Sequence, residues 1–237
     1  MTGSVVWEPS WLETTVQPMS MDGAWRCIPT EHFSTSLRLV DDVDEAMVLE
    51  ALLAGETPQL DKHPQTFAPF EYYPGHASRF RRAHEAGCWY GSHTREASLS
   101  EISYWRMKFL LDTAVGSKLE PMIDHSVFRF DVHGNVFNLM AAPWDSLRDT
   151  WRHGSDYSAT HALAVAAVKA GVQWIQYESV RAPSSALAVV FTPDALHGTT
   201  NEVEATVEDW VCKVNMERVV WFNENSSEQL IWTKGGE

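Results

Sequence analysis

The chain has 237 residues and a mass of 26.8 kDa, and its 44% hydrophobic residues with 11 Trp are enough for a substantial core. We expect one globular domain. The chain carries 18 Lys and Arg against 32 Asp and Glu, a formal net charge of −14. This balance argues against duplex nucleic acid as the main partner, because binding to DNA phosphates depends on basic patches. We expect no direct DNA binding, and an acidic surface favours a basic protein partner.

The sequence offers no signal for export or for a membrane span. Its start lacks the basic and apolar regions of a secretory signal, and no run approaches the ~18 apolar residues that cross a bilayer. We therefore expect a soluble, cytoplasmic protein without membrane contact. Three cysteines without a C-x-x-C pair favour reduced thiols. Ten histidines lack the spacing of zinc motifs, so we expect no metal site.

Hydrophobic periodicity predicts helices early in the chain and strands late. Apolar stripes and caps predict helices at residues 43–54, 97–112 and 159–169, and four prolines mark a loop at 55–75. Period-two patterns predict strands at residues 172–177 and 186–191, and more than one strand within residues 210–222. They also predict a hairpin, in which strands 127–132 and 136–140 are joined by a turn at 133–135. This order favours an α+β fold over a regular βαβ fold.

A basic cluster stands out in this acidic chain: Arg79, Arg81 and Arg82 fall within four positions. The planar guanidinium of arginine suits the oxygens of a pyrophosphate, so one of these residues is a candidate anchor for a phosphate-bearing ligand. The alternative is an exposed basic turn. Composition alone leaves both interpretations open.

Three further residues have a functional and a structural interpretation. Tyr90 can stack on a planar heterocycle or pack in the core after Trp89. Glu101, near the start of a predicted helix, can act on a ligand or complement the helix dipole. Ser179 follows a predicted strand without a G-x-S-x-G elbow, so we expect a ligand hydrogen bond and not a nucleophile. Nucleotide-binding glycine motifs are also missing, so a dinucleotide would bind as a substrate on another scaffold.

Short motifs in a fixed order resemble the RES domain, a family named for its Arg, Glu and Ser. The motifs are A-S-R-F at 77–80, G-C-W-Y-G at 87–91, A-S-L-S-E at 97–101 and Q-Y-E-S-V-R at 176–181. The resemblance continues at residues 25–26, 37–40, 49–50, 156–160 and 191–193. It implies a RES domain at residues 25–200, an N-terminal extension at 1–24, and a strand-rich C-terminal extension at 201–237 packed on the same domain.

The resemblance implies a fold like that of ADP-ribosyltransferases, with mixed, mostly antiparallel sheets and flanking helices. It also implies a toxin of a bacterial toxin–antitoxin pair that cleaves the nicotinamide–ribose bond of NAD by hydrolysis or phosphorolysis. NAD is then a substrate, inorganic phosphate is a candidate co-substrate, and no cofactor is needed. The implied partner is an antitoxin with a helix-turn-helix region, and a homodimer or a larger complex is compatible with this. Two alternatives stay open: transfer of ADP-ribose to a protein, and a silent NAD-binding module.

By motif, the resemblance assigns catalytic roles to Arg79, Tyr90, Glu101 and Ser179. The substrate-binding residues that it implies are Arg79, Arg81, Tyr90, Tyr177, Ser179 and Arg181. Arg79 or Arg81 would hold the pyrophosphate and Glu101 would stabilise the cationic ribose. The chain departs from the family pattern at Glu178, where Pro is frequent. A carboxylate there would repel phosphate if it faced the pocket.

Overall fold

The computed structural model describes residues 5–30, 62–113 and 120–234. These form two compact units: unit 1 takes its residues from Met1–Ala24, Thr66–Thr94 and Phe130–His197, and unit 2 from Trp25–Gln65, Arg95–Arg129 and Gly198–Glu237. The predicted helix at 43–54 and the first part of the predicted loop at 55–75 lie outside the described residues. The family domain boundaries at residues 25 and 200 stay a prediction.

The described residues contain both helices and strands, which alternate along the chain and do not follow the predicted order of helices first and strands later. The helices are α1 Trp11–Thr14, α2 Ala68–Glu71, α3 Arg95–Asp112, α4 Arg148–Trp151, α5 Ser158–Lys169 and α6 Thr200–Glu204. The strands are β1 Gln17–Pro29, β2 Trp89–Ser92, β3 Met122–Asn138, β4 Trp174–Glu178, β5 Ala186–Val190, β6 Leu196–His197, β7 Glu208–Val214, β8 Arg218–Asn223 and β9 Gln229–Thr233. Short 3-10 helices are Pro64–Thr66, Trp144–Leu147 and Pro193–Ala195.

Unit 1 is built on strands that carry the predicted motifs. Strand β5 pairs antiparallel with β2 on one side and with β4 on the other, while β4 pairs in parallel with the end of β3. Helix α5 buries Leu163 and Ala167 against Phe137 and Ile175. Fully burying a side chain of the size of Leu163 contributes about 1.5–3 kcal/mol. This core supports β2, which carries Tyr90, and β4, which Ser179 directly follows.

Unit 2 has its own antiparallel strands and one long helix. The first part of β3 pairs with β7, β7 with β8, and β8 with β9, all antiparallel. Helix α3 buries Leu99 and Met107 against Trp221. The indole Nε1 of Trp221 donates to the buried Oγ of Ser103 at 2.8 Å. Glu101 is thus carried by a helix whose inner face is packed.

The predicted hairpin around residues 133–135 is wrong, because β3 is one continuous strand. Gly134 has φ +143°, which bends the strand without reversing it. On one side of the bend Val132 pairs with Leu196 of β6, and on the other Val136 pairs with Trp174 of β4. The two halves therefore find different partners instead of each other.

The other described predictions agree closely with the structure. Helices α3 and α5 begin within two residues of the predicted starts and end where predicted. The alternating run at 210–222 forms β7 and β8, and its first strand begins at Glu208. The fold class is α+β with mostly antiparallel strands. Over the residues that the structure covers, none of the helices has the length and apolar character needed to cross a membrane.

Candidate functional site

Arg79 lies in a tight turn of unit 1 with its guanidinium held against the start of α5. The turn is closed by the amide N of Ser78, which donates to the carbonyl O of Arg81 at 2.9 Å. Nη1 of Arg79 donates to the carbonyl oxygens of Trp151 and His153 at 2.7 and 3.0 Å. The guanidinium carbon stands 5.0 Å from the centre of the Tyr157 ring. One edge of the cation is therefore fixed, and an aromatic ring supports its face.

The backbone beside Arg79 is clamped by two side chains from α5. Nε2 of His161 donates to the carbonyl O of Ser78 at 2.8 Å, and Oγ1 of Thr160 donates to the carbonyl O of Arg79. Both bonds tie the turn to the first turn of the helix. His161 thus holds the turn, a role that sequence reasoning did not assign to it.

Tyr90 clamps the same turn from strand β2. Its hydroxyl shares a hydrogen bond with Oγ of Ser78 at 2.8 Å and accepts one from the amide N of Phe80 at 3.3 Å. Burial raises the pKa of the Tyr90 phenol, a nearby Cys88 thiol adds to this, and the bonds to Ser78 and Phe80 oppose it. The phenol is therefore neutral at physiological pH. The Tyr90 hydroxyl therefore contacts the residues on both sides of Arg79, Ser78 and Phe80.

Arg81 is buried, and its guanidinium binds backbone carbonyls of the loop that precedes it. It is only 4% exposed. Its two terminal nitrogens donate to the carbonyl oxygens of Pro74, His76 and Arg82 at 3.3, 2.6 and 2.8 Å. A guanidinium that caps three backbone carbonyls organises the chain around it. Of the two candidate phosphate anchors, Arg79 is therefore the more accessible one.

Ser179 lies at the end of β4, and its side chain shapes the turn that follows. The residue is buried, and its Oγ accepts hydrogen bonds from the amide N of Arg181 at 3.0 Å and of Ala182 at 2.8 Å. Tyr177, two residues earlier, is buried edge-on against Phe80 with ring centres 4.8 Å apart. Arg181 is partly buried in the turn. The Q-Y-E-S-V-R motif is thus a strand end followed by a turn that its own serine caps.

Glu178 belongs to a charged cluster that sequence reasoning did not foresee. Arg148 donates two hydrogen bonds to the carboxylate of Glu178, from Nε at 2.6 Å and from Nη2 at 2.7 Å. The amide N of Ser184 donates to it at 2.9 Å, and Arg152 lies 3.5 Å away. These contacts, led by the Arg148 hydrogen bonds, lower the pKa of Glu178. Arg148 is the first residue of α4 and Arg152 directly follows its last residue, and no sequence pattern pairs them with Glu178.

Glu101 lies in unit 2, in the second turn of α3, and is partly buried. The helix begins at Arg95, and Glu96 is the acidic residue of its first turn. Because the dipole of a helix acts mainly on its first turn, Glu96 and not Glu101 fits the structural interpretation. In the same unit, burial lowers the pKa of Arg26 to about 10, so this arginine still carries its charge at neutral pH. Sequence reasoning quoted Arg26 without giving it a role.

Within 5–30, 62–113 and 120–234, His, Cys, Asp and Glu side chains form no group of three or more that could hold a metal ion. Cys27, Cys88 and Cys212 are free thiols. Burial raises the pKa of Cys88 and of Cys212 to about 12, which keeps both in the poorly nucleophilic thiol form.

A protein-family comparison decides the family. The model of the RES domain matches residues 56–214, well over half of the chain. The chain belongs to the RES domain family. A search of curated proteins gives no match. Among solved structures, this RES protein is similar to a chain in the crystal structure of the M. tuberculosis MbcT–MbcA toxin–antitoxin complex, with 10% identity, a TM-score of 0.45, and coverage of 87% of this chain and 91% of that chain.

Proposed function

We propose that this RES domain protein is the toxin of a toxin–antitoxin pair and that it cleaves the bond between nicotinamide and ribose in NAD. The observation that carries the proposal is the support around Arg79. Hydrogen bonds from Tyr90, Thr160 and His161 hold its turn, and its guanidinium lies against an aromatic ring. A cation fixed in this way can bind a pyrophosphate with little loss of side-chain entropy.

Cleavage of the nicotinamide–ribose bond needs a carboxylate as well as a cation. Breaking an N-glycosidic bond passes through an oxocarbenium-like state with positive charge on the ribose. In the proposal, the carboxylate of Glu101 stabilises this charge or orients the attacking water or phosphate. Nicotinamide departs as a neutral molecule, so no metal is required.

The remaining motif residues have supporting roles in the proposal. Tyr90 holds the turn of Arg79 and presents an aromatic edge to the ligand. Ser179, Tyr177 and Arg181 form the strand end that would contact the nicotinamide ribose or its amide. Arg81 acts mainly through the loop that it organises. The positive charge of Arg81 still favours an anion nearby, although backbone carbonyls take three of its five N–H donors.

Glu178 bears on the choice between hydrolysis and phosphorolysis. An unpaired carboxylate beside Ser179 would repel phosphate. Arg148 neutralises Glu178 through two hydrogen bonds, and Arg152 lies close to it. The electrostatic argument against phosphorolysis is therefore weak, and both reactions stay within the proposal. An antitoxin with a helix-turn-helix region is the proposed partner that holds the toxin inactive.

Growth of an expressing strain tests the proposal, with matched variants as controls. We expect wild-type protein to arrest growth, and Glu101→Gln and Arg79→Gln to relieve the arrest at equal soluble yield. Glu96→Gln, on the same helix, and Arg82→Gln, in the same basic cluster, should remain toxic, since both residues are exposed. Toxicity that persists in soluble Glu101→Gln and Arg79→Gln proteins would contradict the proposal.

A further inference from the structure

Strand β9 forms an edge of the sheet in unit 2. Over the part of the chain that the structure describes, it pairs with β8 alone, in a continuous antiparallel register. An edge strand presents a row of N–H and C=O groups with which another strand can pair. The family match ends at residue 214, so β8 and β9 lie beyond the part of the chain that the family model covers.

The hydrogen bonds to β8 show which backbone groups of β9 face this edge. The amide N of Asn223 donates to the carbonyl O of Glu228 at 3.1 Å, so the backbone of Glu228 points towards β8. In a strand, the N–H and C=O groups of successive residues point to opposite sides. The backbone groups of Gln229, Ile231 and Thr233 therefore point away from β8, towards the edge.

The residues of β9 lack the features that protect edge strands from pairing. Such edges are commonly blunted by proline, by charged side chains or by bulges. The five residues Q-L-I-W-T contain neither proline nor charge, and their register with β8 is without a bulge. Ile, Trp and Thr favour strands, and Ile231, at the centre of β9, is 58% exposed. This edge is therefore suited to accept a further strand.

The charges that flank β9 fit a second copy of the same strand. Glu228 precedes β9 and Lys234 follows it, and both are exposed. In an antiparallel pair of identical strands with its two-fold axis at Ile231, the residue three positions before the axis faces the residue three positions after it. Glu228 of each copy then faces Lys234 of the other, and opposite charges in facing positions are stabilising. Glu228 also pairs with Arg95, and a carboxylate can accept from both cations.

The register about Ile231 also uses the whole of β9. Ile231 faces Ile231 of the other copy, and Gln229 faces Thr233. All three residues direct their backbone groups towards the edge, so each of these N–H and C=O groups gains a partner. A register shifted along the strand would leave some of these groups without one, and would no longer bring the two flanking charges together.

Apolar side chains lie on both faces of the sheet beside this edge. On one face, Ile231 stands next to Val220 of β8, which is partly buried. On the other face, Trp232 and Leu111 of α3 help to line a cavity of about 270 Å³. Leu111 is 39% exposed. A second copy that extends the sheet would cover part of this surface, and the burial of apolar area would favour association.

We propose that two copies of this chain associate through β9, antiparallel and about a two-fold axis at Ile231, to form one continuous sheet from the unit 2 strands of both. The contact between two short edge strands is small for a stable interface, so we expect a dissociation constant of about 1–100 μM. None of the residues that form it has a role in the proposed cleavage of NAD. The two proposals therefore succeed or fail independently.

Sedimentation velocity of the purified full chain, without antitoxin, measures this association. Between about 1 and 300 μM, the wild-type protein should shift from monomer to dimer. A chain that remains monomeric throughout this range would overturn the proposal. So would a series of larger species without a dimer, because a two-fold contact closes after two copies.

The two-fold axis provides a test that depends on self-pairing. Because residue 231 faces its own copy, Ile231→Lys and Ile231→Glu should each weaken the dimer at least about tenfold by like-charge repulsion. An equimolar mixture of these two proteins should associate at least about tenfold more tightly than either protein alone. A dimer that survives in both variants, or a mixture that does not recover association, would overturn the proposal.

Met122→Lys is the matched control. Met122 is 64% exposed and lies on the same face of the sheet as Ile231, in the same cross-strand row through Lys213 and Val220. It is three strands away from the edge, so Met122→Lys should leave the dimer unchanged. A dimer that is lost in this variant would show that the sheets stack face to face, which would overturn the proposal.

Lys234→Glu tests the register through the flanking charges. It places two carboxylates opposite each other at both ends of the contact, and should weaken the dimer about threefold or more at low salt and less at high salt. Circular dichroism checks that each variant is folded. Unchanged association of Lys234→Glu at low salt would overturn the register, and this result decides if the Ile231 variants do not fold.

Discussion

The hydroxyl oxygens of Ser78 and Tyr90 lie 2.8 Å apart, and this hydrogen bond joins strand β2 to the turn that carries Arg79. The amide N of Phe80 donates to the same phenol oxygen from the other side of Arg79. Arg79 is therefore bracketed by two contacts to one side chain. The geometry makes Tyr90 a positioning residue for Arg79 in addition to any contact that it makes with a ligand.

Removing this hydrogen bond should impair NAD cleavage through Arg79. We expect Tyr90→Phe and Ser78→Ala each to lower kcat/KM, with a coupling energy of about 0.5–1.5 kcal/mol in the double-mutant cycle, because one shared bond is lost. Steady-state kinetics on the four proteins measures it, and circular dichroism confirms that each is folded. Strictly additive effects would show that the bond does not position Arg79.

Arg81 and Arg82 should differ sharply in their effect on stability. Arg81→Met would leave three carbonyl oxygens without a donor, and we expect it to lower the free energy of unfolding by about 2 kcal/mol or more. Arg82 is exposed and pairs with Glu85, so Arg82→Met should cost less than about 1 kcal/mol. Urea unfolding of both variants checks this. Equal costs would refute the structural role of Arg81.

Ser179 should contribute to stability through the turn that it caps. Ser179→Ala would leave the amide N–H groups of Arg181 and Ala182 without their acceptor, which we expect to cost about 1–3 kcal/mol. Ser155→Ala, at an exposed position of the same unit, is the control and should be nearly neutral. Thermal unfolding distinguishes the two. A variant of Ser179 that keeps full stability but loses NAD cleavage would assign Ser179 to the ligand alone.

His125 should make unit 2 sensitive to acid. Burial, and then the charge of Arg106, lower its pKa from 6.5 to about 4, although a bond to the carbonyl O of Ile123 opposes this. Between these two values the unfolded chain binds more protons, so stability falls as the pH drops from 6.5 to 4, by up to about 1.4 kcal/mol per pH unit.

Replacing His125 with glutamine tests this pH dependence. Glutamine does not titrate, yet it can accept a bond from Arg106 and donate one to Ile123. In His125→Gln, the slope of unfolding free energy against pH should flatten between pH 6.5 and 4. Wild-type protein should retain the slope. Equal slopes in denaturant melts across this range would show that another group causes the acid sensitivity.

The sequence was most informative where the local pattern alone decides the structure. Helix α5 was predicted because its apolar spacing is regular and Gly171, at φ +75°, ends it. The hairpin at residues 127–140 was wrong, since the choice between a turn and a bend at Gly134 depends on strands distant in sequence. Strand β1 was missed because its burial does not alternate strictly.

Side-chain roles were less predictable than helices. Arg79 and Arg81 are the same residue type two positions apart, and only burial distinguishes a candidate ligand anchor from a structural cation. The pairing of Glu178 with Arg148 joins residues 30 positions apart, which no single-sequence pattern specifies. The motifs located the residues, and three-dimensional contacts were needed to separate their functions.

The central claim is tested most directly by incubating purified, antitoxin-free protein with NAD, with and without inorganic phosphate, and separating the products by chromatography. We expect free nicotinamide from the wild-type protein and from Glu96→Gln, and none from Glu101→Gln. ADP-ribose would indicate hydrolysis, and its 1″-phosphate in the presence of phosphate would indicate phosphorolysis. Intact NAD with the wild-type protein, or nicotinamide released equally by Glu101→Gln, would contradict the account.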